Sequence, residues 1–263
     1  MITTCHKPVR MSVKLRAITL LFAGVIALLS TPDLSYAREV KVAVATNFTA
    51  AAKEIGAAFA TATGHKTIFS FGSTGKLYTQ ITQDAPFEVF LAADQVRPEH
   101  AVENGLAVPS SRFTYATGKL VLYSRDENLV TDDDTLRKGA FTRIAIANPV
   151  TAPYGAAAVE VMTTLGVYEQ LKPKIVQGDN IAQTYQYVET GNAELGFVAL
   201  SQVIGQAGGS RWIVSDDLYT TIAQDAVLLK QGEDNEAAQA FVTFLRGPEA
   251  RAVKEKYGYG NGG

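Results

Sequence analysis

Residues 40–64 read VKVAVATNFTAAAKEIGAAFATATG, a short β-rich run followed at once by a helical pattern. The run Val40–Ala45 predicts a strand. Apolar residues then recur at the spacing of one helix face from Phe48 to Phe59, and Gly64 ends the pattern. This segment therefore predicts the strand–helix unit of an α/β fold.

The same unit recurs along the chain. Further strands are predicted at 67–71, 87–93, 143–147, 174–176, 195–200 and 227–229. Helical patterns occupy the regions around 77–82, 154–165, 181–188 and 238–245. Such alternation predicts parallel sheets covered by helices on both faces, with ligands bound beyond the carboxyl ends of the strands.

Two regions interrupt this alternation, namely Phe113–Ser124 and the stretch from Trp212 to Ile222. We interpret them as crossovers between two lobes. Lobe 1 is predicted to comprise residues 38–116 plus 222–263, and lobe 2 residues 117–221. The predicted fold class is α/β, with two Rossmann-like lobes and a ligand cleft between them.

Residues 1–37 predict a secretory signal peptide that is cleaved during export. A basic start is followed by an uncharged apolar run, Ala17–Leu29, and by the small-large-small sequence Ser35-Tyr36-Ala37. The alternative is a membrane anchor, but the run is shorter than the roughly 20 apolar residues that span a bilayer. The mature chain is therefore expected to begin at Arg38.

Charge and cysteine content exclude several classes of protein. The whole chain carries a net charge of −2, and the signal segment contributes four basic residues and Asp33, so that about −5 remains on the mature chain. No basic face then favours nucleic acid or an anionic membrane. The only cysteine, Cys5, lies in the signal segment, so we expect neither disulfides nor thiol chemistry.

The sequence contains no convincing catalytic or metal-binding motif. His65 and His100 are expected in exposed turn or helix contexts, without metal-ligand spacing. The stretch Gly72–Lys76 resembles a phosphate loop but lacks the hydroxyl that must follow its lysine, because Leu77 stands there. The acids of 132–134 are expected to form a solvated helix start. We therefore predict no catalytic residue, no enzyme and no cofactor.

Four strand-to-helix junctions, two in each lobe, carry the candidate binding groups. They are Thr46-Asn47, Gly72-Ser73-Thr74, Pro153-Tyr154-Gly155 and Asp179-Asn180-Ile181. Each junction presents unpaired backbone N–H groups at a positive helix end, which is a ready site for an anion. Ordinary helix capping explains any one of them alone, but their combination favours a binding site.

With these segments the mature chain resembles the periplasmic molybdate-binding proteins of ABC transporters, over essentially all of residues 39–259. The resemblance implies a type II periplasmic-binding-protein fold with two α/β lobes closing on an oxyanion held by neutral donors. The segments that carry it are 44–49, 70–77, 87–95, 147–149, 152–155, 178–183, 193–198 and 256–258.

Carried onto this chain, the resemblance implies a set of oxyanion ligands. They are Thr46, Asn47, Ser73, Thr74, Tyr154 and Ile181, the last through its backbone N–H alone. Molybdenum would be held only as the oxyanion, through Asn47, Ser73, Tyr154 and Ile181. Some members place a ligand tyrosine where this chain has Ala199, so the phenol is expected to come from Tyr154 instead.

The chemistry of the ligand agrees with this site. Molybdate and tungstate are dianions that offer only hydrogen-bond acceptors, whereas phosphate keeps a proton and requires an acceptor such as a carboxylate. Asp94 is the nearest candidate by motif, but its place at a strand end favours a structural role.

We predict a monomeric periplasmic protein that binds molybdate or tungstate and delivers it to the membrane permease of an ABC transporter. The alternatives are a binding protein for sulfate or another tetrahedral oxyanion, an exported hydrolase, and a sensing domain that reports to a membrane receptor.

Overall fold

The computed structural model describes residues 1–7 and 37–261. The predicted signal peptide therefore lies mostly outside the described residues. Among the helices that are described, none is long and apolar enough to cross a membrane.

Strands alternate with helices along most of residues 39–261, as the sequence predicts. The strands are β1 (Glu39–Ala45), β2 (Lys66–Gly72), β3 (Val89–Leu91), β4 (Phe113–Gly118), β5 (Leu120–Ser124), β6 (Ile144–Ala147), β7 (Ile175–Gly178), β8 (Leu195–Ala199), β9 (Ser210–Ile213), β10 (Ile222–Leu228) and β11 (Gly260–Asn261). The α-helices are α1 (Thr49–Thr63), α2 (Thr74–Ile81), α3 (Val96–Glu103), α4 (Asp134–Lys138), α5 (Pro153–Thr164), α6 (Tyr168–Leu171), α7 (Ile181–Glu189), α8 (Leu200–Val203), α9 (Glu236–Leu245) and α10 (Pro248–Lys256). Short 3-10 helices cover Thr46–Phe48, Pro109–Ser111, Lys172–Lys174 and Lys230–Gly232.

The strands form two sheets, each the centre of one lobe. Sheet 1 has the strand order β11-β4-β10-β3-β1-β2, and sheet 2 has the order β7-β6-β8-β5-β9. In sheet 1, β1 is parallel to β2 and β3, and Ala45 lies opposite Gly72. In sheet 2, β6 is parallel to β7 and β8, and Ala147 lies opposite Gly178. The carboxyl ends of these strands precede the helices of the four predicted junctions.

The chain changes sheet in the two regions that the sequence marks as crossovers. It leaves sheet 1 between Gly118 and Leu120 and returns between Ile213 and Ile222. Below, lobe 1 and lobe 2 denote the parts built on sheet 1 and sheet 2. Strand β4 continues two residues past the predicted lobe 1 limit at residue 116.

The prediction of parallel sheets holds for the strands of the alternating regions but not for those next to the crossovers, so both sheets are mixed. Strand β10 is antiparallel to both β3 and β4, and β5 is antiparallel to both β8 and β9. Two strands that follow each other along the chain can pair in parallel only when a long crossover, usually a helix, connects them. A segment that arrives directly from the other lobe has no such helix, so it can pair in the opposite direction.

Helices cover both faces of each sheet. In lobe 1, Val42 and Val44 of β1 pack under α1 and α9, whereas Ala43 faces α2 and α3. In lobe 2, Ile144 and Ile146 of β6 pack against α5, and the opposite face of the sheet packs against α7 and α8. Burial on both faces explains the nearly continuous apolar runs that mark these strands in the sequence.

One histidine prediction is wrong. His65 is 7% exposed, and its Nδ1 accepts the backbone N–H of Arg38 at 3.2 Å. Its ring also lies 6.0 Å from that of Phe59. A turn that folds back onto the end of α1 buries this side chain, and the local sequence gives no sign of it. His100 is exposed, as predicted.

Candidate functional site

The four predicted junctions meet around one small cavity between the lobes. The space free of protein atoms there is about 180 Å³, part of it open to solvent. Its lining residues are Ala45, Thr46, Asn47, Gly72, Ser73, Thr74, Ala93, Ala152, Pro153, Tyr154 and Ile181. All six predicted ligand residues are in this set. Gly72 and Pro153 of the predicted junctions also line the cavity, and Ala45, Ala93 and Ala152 complete the wall.

The described residues that line the cavity are all uncharged. Asp94, the nearest carboxylate by motif, is not among them. Its side chain accepts the backbone N–H of Arg97 at 3.0 Å and forms an ion pair with the guanidinium of the same residue. Asp94 therefore has the structural role that the sequence favours, and no acceptor carboxylate lines the cavity.

The first junction combines backbone donors with a hydroxyl. Strand β1 ends at Ala45, and the 3-10 helix Thr46–Phe48 begins there without any side-chain cap. Thr46 is 8% exposed and Asn47 is 3% exposed. The first backbone N–H groups of a helix have no intrahelical partner. This junction therefore directs donors toward the cavity.

The side-chain amide of Asn47 donates both of its hydrogens to other residues of the protein. Its Nδ2 donates to Gln224 Oε1 at 2.8 Å and to Tyr259 Oη at 3.2 Å. An amide nitrogen has two hydrogens, so both are used. What remains for a ligand is the backbone N–H of Asn47, together with the hydroxyl of Thr46.

The second junction contains a buried hydroxyl without a partner. Ser73 stands at the N-cap of α2, but its side chain makes no cap hydrogen bond. Its Oγ is buried and has no hydrogen-bond partner among the described residues. Nearly all buried polar groups in proteins are paired, so an isolated hydroxyl in the wall of a cavity indicates a place for a ligand.

The neighbouring hydroxyl of Thr74, unlike that of Ser73, has a hydrogen-bond partner inside the protein. Thr74 is 1% exposed, and its Oγ1 accepts the backbone N–H of Ala93 at 3.0 Å. This bond ties the start of α2 to the segment that follows β3. Because Thr74 Oγ1 only accepts in this bond, its hydrogen stays available, so both hydroxyls at this junction can donate to a ligand, and Ser73 is the one with no partner inside the protein.

The third junction places a phenol at the start of α5. Pro153 occupies the first turn and cannot donate, and Ala152 at the N-cap offers no side-chain bond. Tyr154 is 2% exposed. A β-carbon on Gly155 would lie 2.1 Å from the carbonyl oxygen of Ala147, so only glycine allows α5 to approach β6 this closely.

The fourth junction shows real capping beside a free donor. Asn180 caps α7, since its Oδ1 accepts the N–H groups of Ala182 and Gln183, both at 3.0 Å. Ile181 is 3% exposed and lies one residue after this cap. Ordinary capping thus explains Asn180. At the three other junctions no side chain caps the helix start.

Buried polar residues that the sequence did not indicate lie behind the cavity. Gln224 of β10 is fully buried, and its Oε1 lies 3.1 Å from Tyr115 Oη in addition to its bond with Asn47. Tyr259 donates to the backbone oxygen of Asn47 at 2.7 Å. Ser201 of α8 donates to the same oxygen at 2.9 Å, which connects lobe 2 to the first junction.

Burial fixes the protonation of the phenols near the site. Removal from water raises the pKa of Tyr154 well above its usual value, and nearby tyrosines reinforce this effect. Burial likewise raises the pKa of Tyr115 and of Tyr259. These hydroxyls therefore remain protonated near neutral pH and can act as hydrogen-bond donors.

The two lobes touch at the rim of the cavity. The backbone N–H of Gly75 donates to the carbonyl of Thr151 at 2.8 Å, which joins the start of α2 to lobe 2. Lys76 forms an ion pair of 2.9 Å with Asp179 across the same cleft. The two lobes are therefore in contact on this side of the cavity. Lys76, the lysine of the stretch that resembles a phosphate loop, forms one of these contacts.

Metal binding through side chains has no support in the described residues. No group of three or more histidine, cysteine or acidic residues within 1–7 and 37–261 could hold a metal ion. The site can instead surround a small anion with hydroxyl and backbone donors on buried residues.

Comparisons with known proteins agree over both lobes. The family model for bacterial extracellular solute-binding proteins matches residues 40–260. The chain is 58% identical over 223 residues to the molybdate-binding protein of Rhodobacter capsulatus, which covers 85% of this chain and 88% of that protein. It is 54% identical over 249 residues to the molybdate-binding protein of Azotobacter vinelandii, with 93% and 97% covered.

The fold agrees with a solved structure as well. The periplasmic molybdate-binding protein of Azotobacter vinelandii superimposes with a TM-score of 0.81 at 39% sequence identity, and the match covers 84% of this chain and 98% of that one.

Proposed function

The chain belongs to the family of bacterial extracellular solute-binding proteins, and from this premise we propose that it binds molybdate and delivers it to an ABC transporter. The observation that carries the proposal is the buried, unpartnered hydroxyl of Ser73 in a cavity lined by neutral donors. Tungstate has the same charge and geometry, so the same site is expected to accept it.

The choice of anion follows from the hydrogen-bonding capacity of the wall. Molybdate offers oxygen acceptors and no donor. The wall provides hydroxyls at Thr46, Ser73 and Tyr154 and backbone N–H groups at helix starts, all of which donate. No carboxylate lines the wall, so a protonated phosphate could give its hydrogen only to one of these hydroxyls, which would then be lost as a donor to the anion, and losing a buried hydrogen bond is costly.

The site binds charge without using opposite charge. Hydrogen bonds to an ionised group are shorter and stronger than neutral ones, and burial strengthens them further. The positive ends of the helix dipoles act in the same direction. Neutral donors held in place before binding therefore suffice to stabilise a dianion.

The proposal also covers the location of the protein, its oligomeric state and its partner in transport. We propose that the protein is exported to the periplasm, acts as a monomer with the membrane permease of an ABC transporter, and requires no cofactor. The family is one of solute-binding proteins, not of enzymes. Intact-mass measurement of the exported protein tests the localisation, with a start at or near Arg38 expected.

Ligand choice is tested by thermal unfolding and calorimetry with molybdate, tungstate, sulfate and phosphate at equal concentrations. A ligand that binds only the folded state stabilises it by RT ln(1 + [L]/Kd), about 4 kcal/mol at a thousandfold excess over Kd. Molybdate and tungstate should each raise Tm by several degrees, and the other two anions by far less. An equal shift with sulfate would make the protein a general oxyanion carrier and would contradict the proposal.

A further inference from the structure

Gln224 connects both lobes to the wall of the cavity without lining it. The residue lies on β10 of lobe 1, where the register with β4 shifts, and it is fully buried. Its Oε1 accepts from Asn47 Nδ2 at 2.8 Å. Its Nε2 donates to Tyr154 Oη of lobe 2 at 3.4 Å.

The hydrogen bonds of Tyr259 and Asn47 determine which atoms of the Gln224 amide accept and which donate. Tyr259 Oη donates to the backbone oxygen of Asn47 at 2.7 Å, so its oxygen can accept one hydrogen of Asn47 Nδ2. The other hydrogen of Nδ2 goes to Gln224 Oε1. With its oxygen used in this way, the amide of Gln224 presents its Nε2 hydrogens to Tyr154.

This hydrogen bond from Gln224 determines how the hydroxyl of Tyr154 can bind a ligand. A phenol has one hydrogen to donate and also accepts. Gln224 occupies the accepting side, and no acceptor for the hydrogen of Tyr154 Oη occurs among the described residues. Since Tyr154 belongs to the wall of the cavity, its hydroxyl can serve a ligand as a donor.

Space for this contact depends on Gly118 at the end of β4. A β-carbon at this position would lie 2.0 Å from Tyr154 Oη and 2.6 Å from Gln224 Nε2. Any larger residue would push the phenol and the amide apart. The crossover from lobe 1 to lobe 2 therefore leaves room for the two groups to meet.

We propose that Gln224 is a specificity-determining positioning residue that makes the Tyr154 hydroxyl a donor only, and so favours oxyanions without a proton over protonated ones. This inference rests on the proposed function. It assigns part of the discrimination between molybdate and phosphate to a residue that does not contact the ligand. Without Gln224, the hydroxyl could turn and accept a hydrogen from a protonated anion.

The test is a double-mutant cycle with two ligands. Calorimetry gives Kd for molybdate and for inorganic phosphate with the parent protein, Gln224→Met, Tyr154→Phe and the double variant. Gln224→Met keeps an unbranched side chain of similar length but removes both amide groups. It should weaken molybdate binding by about tenfold and phosphate binding by less. In the Tyr154→Phe background the same change should weaken molybdate binding by no more than about threefold, because the two residues act through one hydroxyl.

A structural role would give a different pattern. If Gln224 only supports packing, both anions weaken equally and the effects of the two substitutions multiply, which overturns the inference while the parent protein still binds molybdate. A parent protein that does not bind molybdate overturns the proposed function, and the inference with it.

Two further variants complete the test: one is a matched control, and the other replaces Gln224→Met if that variant does not fold. Tyr115→Phe removes the other hydroxyl that contacts Gln224 and leaves the donor to Tyr154 in place, so the preference for molybdate should stay within about twofold of the parent. If Gln224→Met does not fold, Gln224→Glu keeps the volume of the side chain and replaces the donor by a carboxyl group. It should lower the ratio of molybdate to phosphate affinity, and an unchanged ratio in a folded Gln224→Glu protein would overturn the inference.

Discussion

Replacing Ser73 by alanine should separate ligand affinity from stability. The hydroxyl of Ser73 is buried and has no hydrogen-bond partner among the residues that the structure describes, so its removal breaks no internal hydrogen bond of the fold. A buried polar group without a partner costs about 1–3 kcal/mol. We therefore expect Ser73→Ala to leave the free energy of unfolding of the empty protein unchanged or to raise it.

The effect on binding should have the opposite sign. A hydrogen bond to a charged group contributes about 1.5–3 kcal/mol, and each 1.4 kcal/mol changes Kd about tenfold. Ser73→Ala should therefore weaken molybdate binding by about ten- to a hundredfold. Calorimetric titration measures the loss of affinity, and urea unfolding without ligand measures the stability.

Ser124 provides a matched control in lobe 2. Like Ser73 it is buried, at 1% exposed, but its Oγ donates to the carbonyl of Glu194 at 2.6 Å and accepts the N–H of Asp126 at 3.1 Å. Ser124→Ala should destabilise the protein by about 1–2 kcal/mol and leave Kd unchanged.

Two results would refute the assignment of Ser73. One is a molybdate Kd of Ser73→Ala within twofold of the parent. The other is a loss of stability similar to that of Ser124→Ala, which would show that Ser73 serves the fold as an ordinary cap of α2.

Three further predictions concern the phenol, closure and pH. Tyr154→Phe should weaken molybdate binding about ten- to a hundredfold by calorimetry, whereas the control Tyr219→Phe, which removes another buried hydroxyl of lobe 2, should not. Small-angle scattering should give a smaller radius of gyration with molybdate than without, and an unchanged radius would contradict hinged closure. Burial lowers the pKa of Lys254 from 10.5 to about 8, so the unfolded chain binds more protons between these values and the stability from this group rises with pH. Relative to Lys254→Met, the parent should gain about 1–2 kcal/mol of unfolding free energy from pH 8 to pH 10, measured with urea.

The repeated strand–helix pattern was sufficient to predict the four junctions that meet at the cavity, whereas the individual ligand residues were implied by the family resemblance. Carboxyl ends of neighbouring parallel strands meet at one edge of a sheet, so residues that follow β1 and β2 had to lie together. The same holds for the residues that follow β6 and β7. What brings the two pairs face to face is the double crossover, which the sequence reveals only as interruptions of the alternation.

The contacts behind the wall could not be predicted from the sequence. Gln224 lies 177 positions from Asn47 along the chain, and a glutamine in a strand gives no sign of what its amide will meet. Its neighbours come from β4, the first junction and α5. The sequence also gave no sign that Thr74 has a partner inside the protein and Ser73 has none, because the N–H that Thr74 accepts belongs to Ala93, nineteen residues away.

Charged groups around the cleft hold the lobes together, while neutral groups are left for the anion. Arg97 binds Asp94 and also donates from Nη2 to the carbonyl of Val150 in lobe 2 at 2.9 Å. Lys76 pairs with Asp179 across the cleft, and both side chains are at least half exposed, so this pair contributes little stability by itself. Each lobe supplies two of the four junctions, so separating the lobes divides the donors and readmits water. Because each lobe holds part of the donor set and no lining residue carries a charge, we expect that opening the rim contacts is sufficient to release the anion.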